Sequence, residues 1–108
     1  MNGCNLMWIV LLALPVRAAD LAPELWDRPR SAQAVMAQPA VRQAVAACQA
    51  SGAARIVIIH GPRQEAQLQA EELRAWLVAL AVDGARLQLR TDRAATLLRL
   101  EVTEQVKE

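Results

Sequence analysis

The sequence has few of the residues on which many functional sites depend. Its 108 residues include no Phe, no Tyr, one His and three Trp. This leaves no aromatic series on which nucleic-acid bases could stack, and the net charge of +1 lacks the basic excess typical of nucleic-acid-binding domains. We therefore expect no nucleic-acid partner. Hydrophobic residues make up 55% of the chain, which excludes a disordered protein and favours one packed domain.

The beginning of the sequence has the features of a secretory signal peptide. Residues 6–14 read LMWIVLLAL, an apolar run that is too short for a transmembrane helix of about 20 residues. Val16 and Ala18 then occupy the outer and inner small-residue positions of an A-x-A-like cleavage site. We predict that residues 1–18 are a signal peptide cleaved after Ala18. The alternatives are cleavage after Ala19 and retention of the segment as a single anchor. The protein is then expected to be periplasmic, with no stable membrane span after signal removal.

Cleavage would leave Cys48 as the only cysteine, which limits what the exported protein can contain. A single cysteine cannot form an internal disulfide, and it cannot provide the several thiolates of a cysteine-based zinc site. We expect no metal and no other cofactor. The exported part is predicted to comprise an extended N-terminal arm (residues 19–30), a single α/β domain (residues 31–104) and a polar tail (residues 105–108).

Hydrophobic periodicity predicts the elements of this domain. Ser31 is suited to cap a short helix over residues 32–37, and Pro39 is suited to begin a second helix. Further elements are expected as a strand over residues 54–60, a helix over residues 64–82, and alternating strands over residues 86–90 and 96–103, joined as an antiparallel hairpin. The expected fold class is α+β, a small two-layer α/β sandwich in the order helix-strand-helix-strand-strand. Two helices would cover one face of a mixed three-stranded sheet.

The sequence contains no recognisable catalytic constellation. His60, the only histidine, lies where the buried strand meets a loop, and ligand sites often gather at such strand ends. No partner stands at a spacing that would make it a general base, so a hydrogen-bonded loop histidine is favoured over a catalytic or metal-binding one. Neither Ser31 nor Ser51 stands in a nucleophile elbow, and there is no glycine-rich phosphate loop. We therefore expect that the protein is not an enzyme.

One helix resembles the signature of a known family. Residues 67–80 read QLQAEELRAWLVAL. With their Arg74-Ala75 pair and the preceding strand ARIVIIHG, they resemble the signature region of the OmpA-like peptidoglycan-binding domains. The resemblance implies a site for the diaminopimelate group of the cell-wall peptide, which that family holds with this Arg and with an Asp after the strand. Residues 61–64 here read GPRQ and hold no Asp. Arg74 would therefore act alone or with Arg63, since guanidinium groups bind carboxylates in a forked pair.

Two function hypotheses follow, and both concern binding. The first is a small exported periplasmic binding module with an OmpA-like contact to cell-wall peptide carboxylates, made by Arg74, Arg63 and His60. The alternative is a stand-alone envelope protein that binds another envelope protein, with no peptidoglycan binding and no catalysis. It would use Trp26 and the sheet edge, because Trp is favoured at interface anchors and an open edge strand can recruit another chain. A hydrolase or metal protein built on His60 is the least favoured hypothesis.

Overall fold

The computed structural model describes residues 17–104, which form an α+β fold with three α-helices and a four-stranded mixed sheet. The elements in chain order are strand β1 (Arg17–Asp20), a 3-10 helix (Pro23–Asp27), helices α1 (Ala32–Met36) and α2 (Pro39–Ala50), strand β2 (Ala54–His60), helix α3 (Gln64–Ala79), a 3-10 turn (Gly84–Arg86), and strands β3 (Leu87–Thr91) and β4 (Arg99–Glu104). The predicted cap of α1 is confirmed, because the Ser31 hydroxyl accepts a hydrogen bond of 3.1 Å from the Ala34 N–H.

Strand β2 lies inside the sheet, whose strand order is β1-β4-β2-β3. β3 runs parallel to β2 and places Leu89 beside Ile58, whereas β4 runs antiparallel to β2 and places Leu100 beside Ile58. β1 forms the outer edge next to β4, with Ala19 beside Leu100. Residues 56–59 are four β-branched residues in a row, a pattern that predicts burial on both faces of a strand, and all four are buried. An interior strand suits such a sequence because both its faces and both its edges are covered.

One face of the sheet carries the hydrophobic core and both long helices. Alternate residues of β2 and β4 point to this face, and they share one buried cluster with the apolar sides of α2 and α3. The largest fully buried side chains of the described residues are Leu21, Ile56, Ile58, Leu73, Leu77, Leu100, Val35 and Val41. The predicted two-layer arrangement is therefore observed.

The opposite face of the sheet is polar except for two residues of β2 and Ala18 of β1. Val57 and Ile59 are only 8% and 3% exposed. Ile59 lies between Arg99 of β4 and Arg90 of β3 in the strand register. Long side chains of this kind can cover apolar neighbours with their methylene groups while their charged ends stay in water. The face is therefore covered by its own charged residues and not by a second layer of helices.

The predicted hairpin between the last two strands is wrong. β4 pairs with β1 and β2 and not with β3, so the loop of residues 92–98 crosses the end of the sheet. Asp92 holds the start of this loop, because its N–H donates to the His60 carbonyl at 2.8 Å and its carboxylate accepts from the Ala94 N–H at 2.9 Å. A β3–β4 hairpin would have left one edge of β2 open, and the observed order pairs both of its edges.

Two further predictions about the elements need correction. The sheet has four strands and not three, because β1 forms from residues predicted to be the end of the signal peptide and the start of the extended arm. Helix α3 ends at Ala79 and does not continue to Val82. The reversal occurs at Ala81, whose φ of 79° is left-handed. Gly84, the next glycine along the chain, belongs to the following 3-10 turn.

The predicted signal peptide lies outside the described residues except for its last two positions. Arg17 and Ala18 belong to β1, so the predicted cleavage point after Ala18 falls within that strand. A cleaved chain would keep Ala19 and Asp20 beside β4. The predicted polar tail, residues 105–108, also lies outside the described residues. Within residues 17–104, no helix has the length and hydrophobicity needed to cross a membrane.

Candidate functional site

A cleft of about 440 Å³ opens where β2 ends and α3 begins. This volume lies within the range of roughly 300–1,000 Å³ that is typical of small-ligand pockets. Three segments form its walls: the 3-10 helix with the residues before it, the start of α3, and the end of the loop before β4. The residues that line it are Leu21, Pro23, Trp26, Gly61, Pro62, Arg63, Ala66, Gln69, Ala95, Thr96, Leu97 and Leu98. We call it the Trp26–Arg63 cleft.

The close approach of two loops forms the base of this cleft. Gly61 is buried, and a Cβ built on it would lie 2.8 Å from the Ala95 carbonyl oxygen. Such a contact is too short for a side chain, so only glycine lets the end of β2 pass so near the loop. On the other side, the Leu21 N–H donates to the Leu98 carbonyl at 2.9 Å. This bond continues the β1–β4 pairing and ties the N-terminal arm to the same loop.

Arg63 and Trp26 were both singled out from the sequence, and the structure brings them into this one cleft. Arg63 is the N-cap residue of α3, with extended backbone angles and no side-chain cap on the helix. It is exposed, and no side-chain hydrogen bond or ion pair within residues 17–104 involves its guanidinium. Its charge is therefore available to a ligand at the cleft.

A polar network fastens the arm that carries Trp26 to helix α3. Arg30 forms a forked pair with Glu72, with distances of 2.9 Å from Nε to Oε2 and 3.0 Å from Nη2 to Oε1. The Trp76 Nε1–H also donates to Glu72 Oε2, at 3.1 Å. The Arg30 guanidinium carbon lies 5.1 Å from the Trp26 ring centroid, a cation–π distance. The arm wall of the cleft is thus tied to its helix wall. The hydrogen bonds from Arg30 lower the pKa of the Glu72 carboxyl below its ordinary value.

His60 does not contribute to the cleft. It is the last residue of β2, is only 5% exposed, and places its Nδ1 2.7 Å from the Gly61 carbonyl oxygen. Since a carbonyl can only accept, this Nδ1 is the protonated nitrogen of the ring. The prediction of a hydrogen-bonded histidine at the end of the strand of residues 54–60 agrees with this geometry.

Arg74 is separated from Arg63 by most of the length of α3. Eleven residues at 1.5 Å each place the two Cα positions about 16 Å apart along the helix axis. Arg74 is exposed, and its Nη2 donates to the Gly84 carbonyl at 3.3 Å. It does not line the Trp26–Arg63 cleft. The structure therefore does not bring together Arg74, Arg63 and His60, the three residues predicted for the OmpA-like contact.

Cys48 and the end of α2 form a structural contact on the far side of the fold from the cleft. Cys48 is buried, and burial raises the pKa of its thiol, which opposes thiolate chemistry. Arg86 donates to the carbonyls of Cys48 at 3.2 Å and Ala54 at 2.9 Å, and also to that of Ser51. One guanidinium thus satisfies carbonyl groups of the α2 end and of the β2 start. Nothing in the sequence marked Arg86 for this role.

Comparison with protein-family models, curated proteins and solved structures finds no match for this chain. The resemblance of α3 to the OmpA-like signature therefore stays a prediction. Among residues 17–104, no group of three His, Cys, Asp or Glu side chains is placed to hold a metal ion.

Several residues of the cleft were missed in the sequence analysis. Pro23 and Leu97 line it but belong to no motif, and Gln69 lies in the OmpA-like segment without a role assigned to it there. Leu97 is 37% exposed and adds to the apolar surface of the cleft. The Glu72–Trp76 contact could have been predicted from the sequence, because residues four apart on a helix are neighbours. The Arg30–Glu72 contact could not have been predicted in this way, because the two residues are 42 positions apart.

Proposed function

We propose that the protein is a small exported binding module of the cell envelope, that it acts without catalysis, and that the Trp26–Arg63 cleft is its contact site. The observation that carries the proposal is the meeting of Trp26 and Arg63 in one cleft. An aromatic anchor and an unengaged guanidinium are the groups on which binding sites most often depend. Export is supported by the apolar run at residues 6–14 and the cleavage-site pattern after it.

The geometry favours a partner in the cleft over the OmpA-like contact at Arg74. Arg74 lines neither this cleft nor the two smaller cavities that border β2 and β4. Affinity for a small ligand depends on burying most of its surface, which a flat helix face does not do. The partner is therefore proposed to be a peptide segment of another envelope component, received between the arm and α3.

Site-specific photo-cross-linking in cells tests this proposal. The photoreactive residue benzoylphenylalanine would replace Gln69 in the cleft in one variant of the full chain. In a second variant it would replace Val78, which is exposed on the same helix outside the cleft. We expect a discrete adduct from position 69, none from position 78, and loss of the adduct when Trp26→Ala is added. Equal adducts from both positions would refute the cleft as the contact site.

Sedimentation with isolated cell-wall sacculi identifies the class of partner. If the purified protein pellets and Arg63→Ala abolishes pelleting, the partner is a cell-wall peptide bound in the cleft. If Arg74→Ala abolishes pelleting and Arg63→Ala does not, the OmpA-like contact is the correct one and our assignment of the cleft is wrong. If the purified protein stays in the supernatant, it does not bind the cell wall, and the proposed partner is another envelope protein.

A further inference from the structure

The walls of the Trp26–Arg63 cleft are mostly apolar and carry a single charge. Trp26, Leu97 and Leu98 provide large apolar surfaces, and Arg63 is the only charged residue among those that line the cleft. An apolar group with one negative charge complements this lining better than a neutral or cationic group does.

The surroundings of Arg63 strengthen the attraction for an anion. Arg63 lies at the start of α3, where the first-turn N–H groups have no side-chain cap and carry the positive end of the helix dipole. The acidic residue of that turn, Glu65, is not among those that line the cleft. The guanidinium and the helix end therefore act together at one rim of an otherwise apolar cleft, and a carboxylate can form a forked pair with the guanidinium.

We propose that the ligand is the C-terminal residue of a polypeptide, with an apolar side chain against Trp26 and its free carboxylate at Arg63. The inference rests on the proposed function and names the ligand of the same site. In a C-terminal residue the carboxylate and the side chain leave the same carbon atom, so both fit within one cleft of about 440 Å³. An internal Asp or Glu of an extended segment supplies its carboxylate from its own side chain, and the neighbouring apolar side chain points to the opposite side.

The Arg30–Glu72 pair gives the cleft its selectivity for one terminal residue. It ties the arm carrying Trp26 to the helix that follows Arg63, at 2.9 and 3.0 Å, and so sets the spacing between the apolar wall and the cation. A site with preset spacing binds without first having to order its own walls. Arg30 is thus a positioning residue, because it acts on the ligand through Trp26.

Titration of the purified protein with two matched peptides, followed by NMR of its backbone amides, tests the inference. N-acetyl-alanyl-leucine carries a free carboxylate, and its C-terminal amide is the same molecule without the charge. We expect the acid to bind about tenfold or more tightly than the amide, since charged hydrogen bonds are worth about 1.5–3 kcal/mol. The largest shifts should fall on the cleft residues. Equal binding of acid and amide would overturn the inference.

Matched variants show which cation is responsible. Arg63→Gln should remove the preference for the acid, whereas Arg74→Gln, on the same helix outside the cleft, should keep it. Gln69→Glu places a carboxylate in the cleft that would repel the carboxylate of the ligand. It should therefore weaken binding of the acid and not of the amide. An internal acid, N-acetyl-leucyl-aspartyl amide, keeps its side-chain carboxylate but has an amidated C-terminus, and it should bind no better than the amide. If it binds as well as the free acid, or if Arg74→Gln acts like Arg63→Gln, the inference is wrong.

The two proposals can fail separately. A cross-link from position 69 in cells, combined with equal binding of acid and amide, would retain the cleft as the contact site and reject the C-terminal ligand. No cross-link from position 69 and no peptide binding would reject both proposals.

Discussion

Replacing Ala81 with Gly is expected to stabilise the protein, although the change removes a methyl group and adds chain flexibility. Ala81 has a φ of 79°, and it is the only non-glycine residue of the described chain with a positive φ. In this region the Cβ of an L-residue crowds the neighbouring carbonyl oxygen, at a cost of roughly 1–2 kcal/mol. Gly avoids this crowding, so the native state should gain that amount.

Ala81 keeps this conformation because the end of α3 requires it. Its N–H donates to the Val78 carbonyl at 3.0 Å, and the Val82 N–H donates to the Leu77 carbonyl at 3.0 Å. These two bonds form a Schellman motif, in which glycine is the usual residue at the left-handed position. Val82 and Leu77 are also both buried, which is the apolar contact that accompanies the motif. The packing at the helix end therefore holds Ala81 in a left-handed backbone conformation that alanine disfavours.

The expected gain is the relief of strain less the entropy cost of glycine. Gly costs about 0.5–1 kcal/mol relative to Ala because the unfolded chain becomes more flexible. The net stabilisation is then about 0.5–1 kcal/mol, or a rise in Tm of about 2–8 °C for a domain of this size. Urea unfolding monitored by Trp fluorescence and circular dichroism measures the free energy of unfolding.

Ala75→Gly is the matched control, because Ala75 is exposed in the interior of the same helix. The substitution changes the unfolded chain in the same way but meets a helical backbone, so it should destabilise by about 1 kcal/mol. The two variants should differ by about 1.5–2 kcal/mol. If Ala81→Gly is as destabilising as Ala75→Gly, the left-handed strain assigned to Ala81 does not exist.

Three other substitutions test the contacts that hold the fold and the cleft. Gly61→Ala should lower the free energy of unfolding by about 1–3 kcal/mol, because the new Cβ would meet the Ala95 carbonyl at 2.8 Å; a neutral result in urea unfolding would contradict the close approach. Glu72 has a lowered pKa, so its contribution to stability is complete above its ordinary value of 4.5 and is lost as the pH falls through the lowered pKa. The stability difference between the protein and Glu72→Gln should therefore shrink below about pH 4.5, and a difference that stays constant from pH 7 to pH 3 would oppose this. Arg86→Met should cost about 2 kcal/mol through the lost carbonyl bonds, whereas Arg93→Met, at an exposed position, should cost less than 0.5 kcal/mol in the same assay.

Much of the fold could be predicted because its information is local. The cap at Ser31 and the start of α2 at Pro39 depend on one residue each. The burial of residues 56–59 follows from an uninterrupted β-branched run. The end of α3 was placed too late because the sequence has no glycine at the reversal. The next glycine, Gly84, lies beyond the reversal and begins the 3-10 turn.

The order of the strands could not be predicted in the same way. A turn of suitable length between two alternating segments predicts a hairpin, and nothing within residues 86–103 shows that the second strand passes to the far side of β2. The observed strand order gives β2 a partner on each edge and lets β1 extend the sheet beyond β4. Such pairings are stabilised by residues far apart in the sequence, and local patterns do not record them.

The cleft depends directly on this non-local choice. Because β4 lies between β1 and β2, the loop before it crosses the end of β2, and the Leu98 carbonyl accepts the Leu21 N–H at 2.9 Å. That bond brings the arm with Trp26 to the same place as Arg63. In a β3–β4 hairpin the loop would have stayed on the outer side of β3, and the two residues would have lacked a shared wall. Trp26 and Arg63 could each be chosen from the sequence for their side-chain chemistry, but the site exists only because of the strand order.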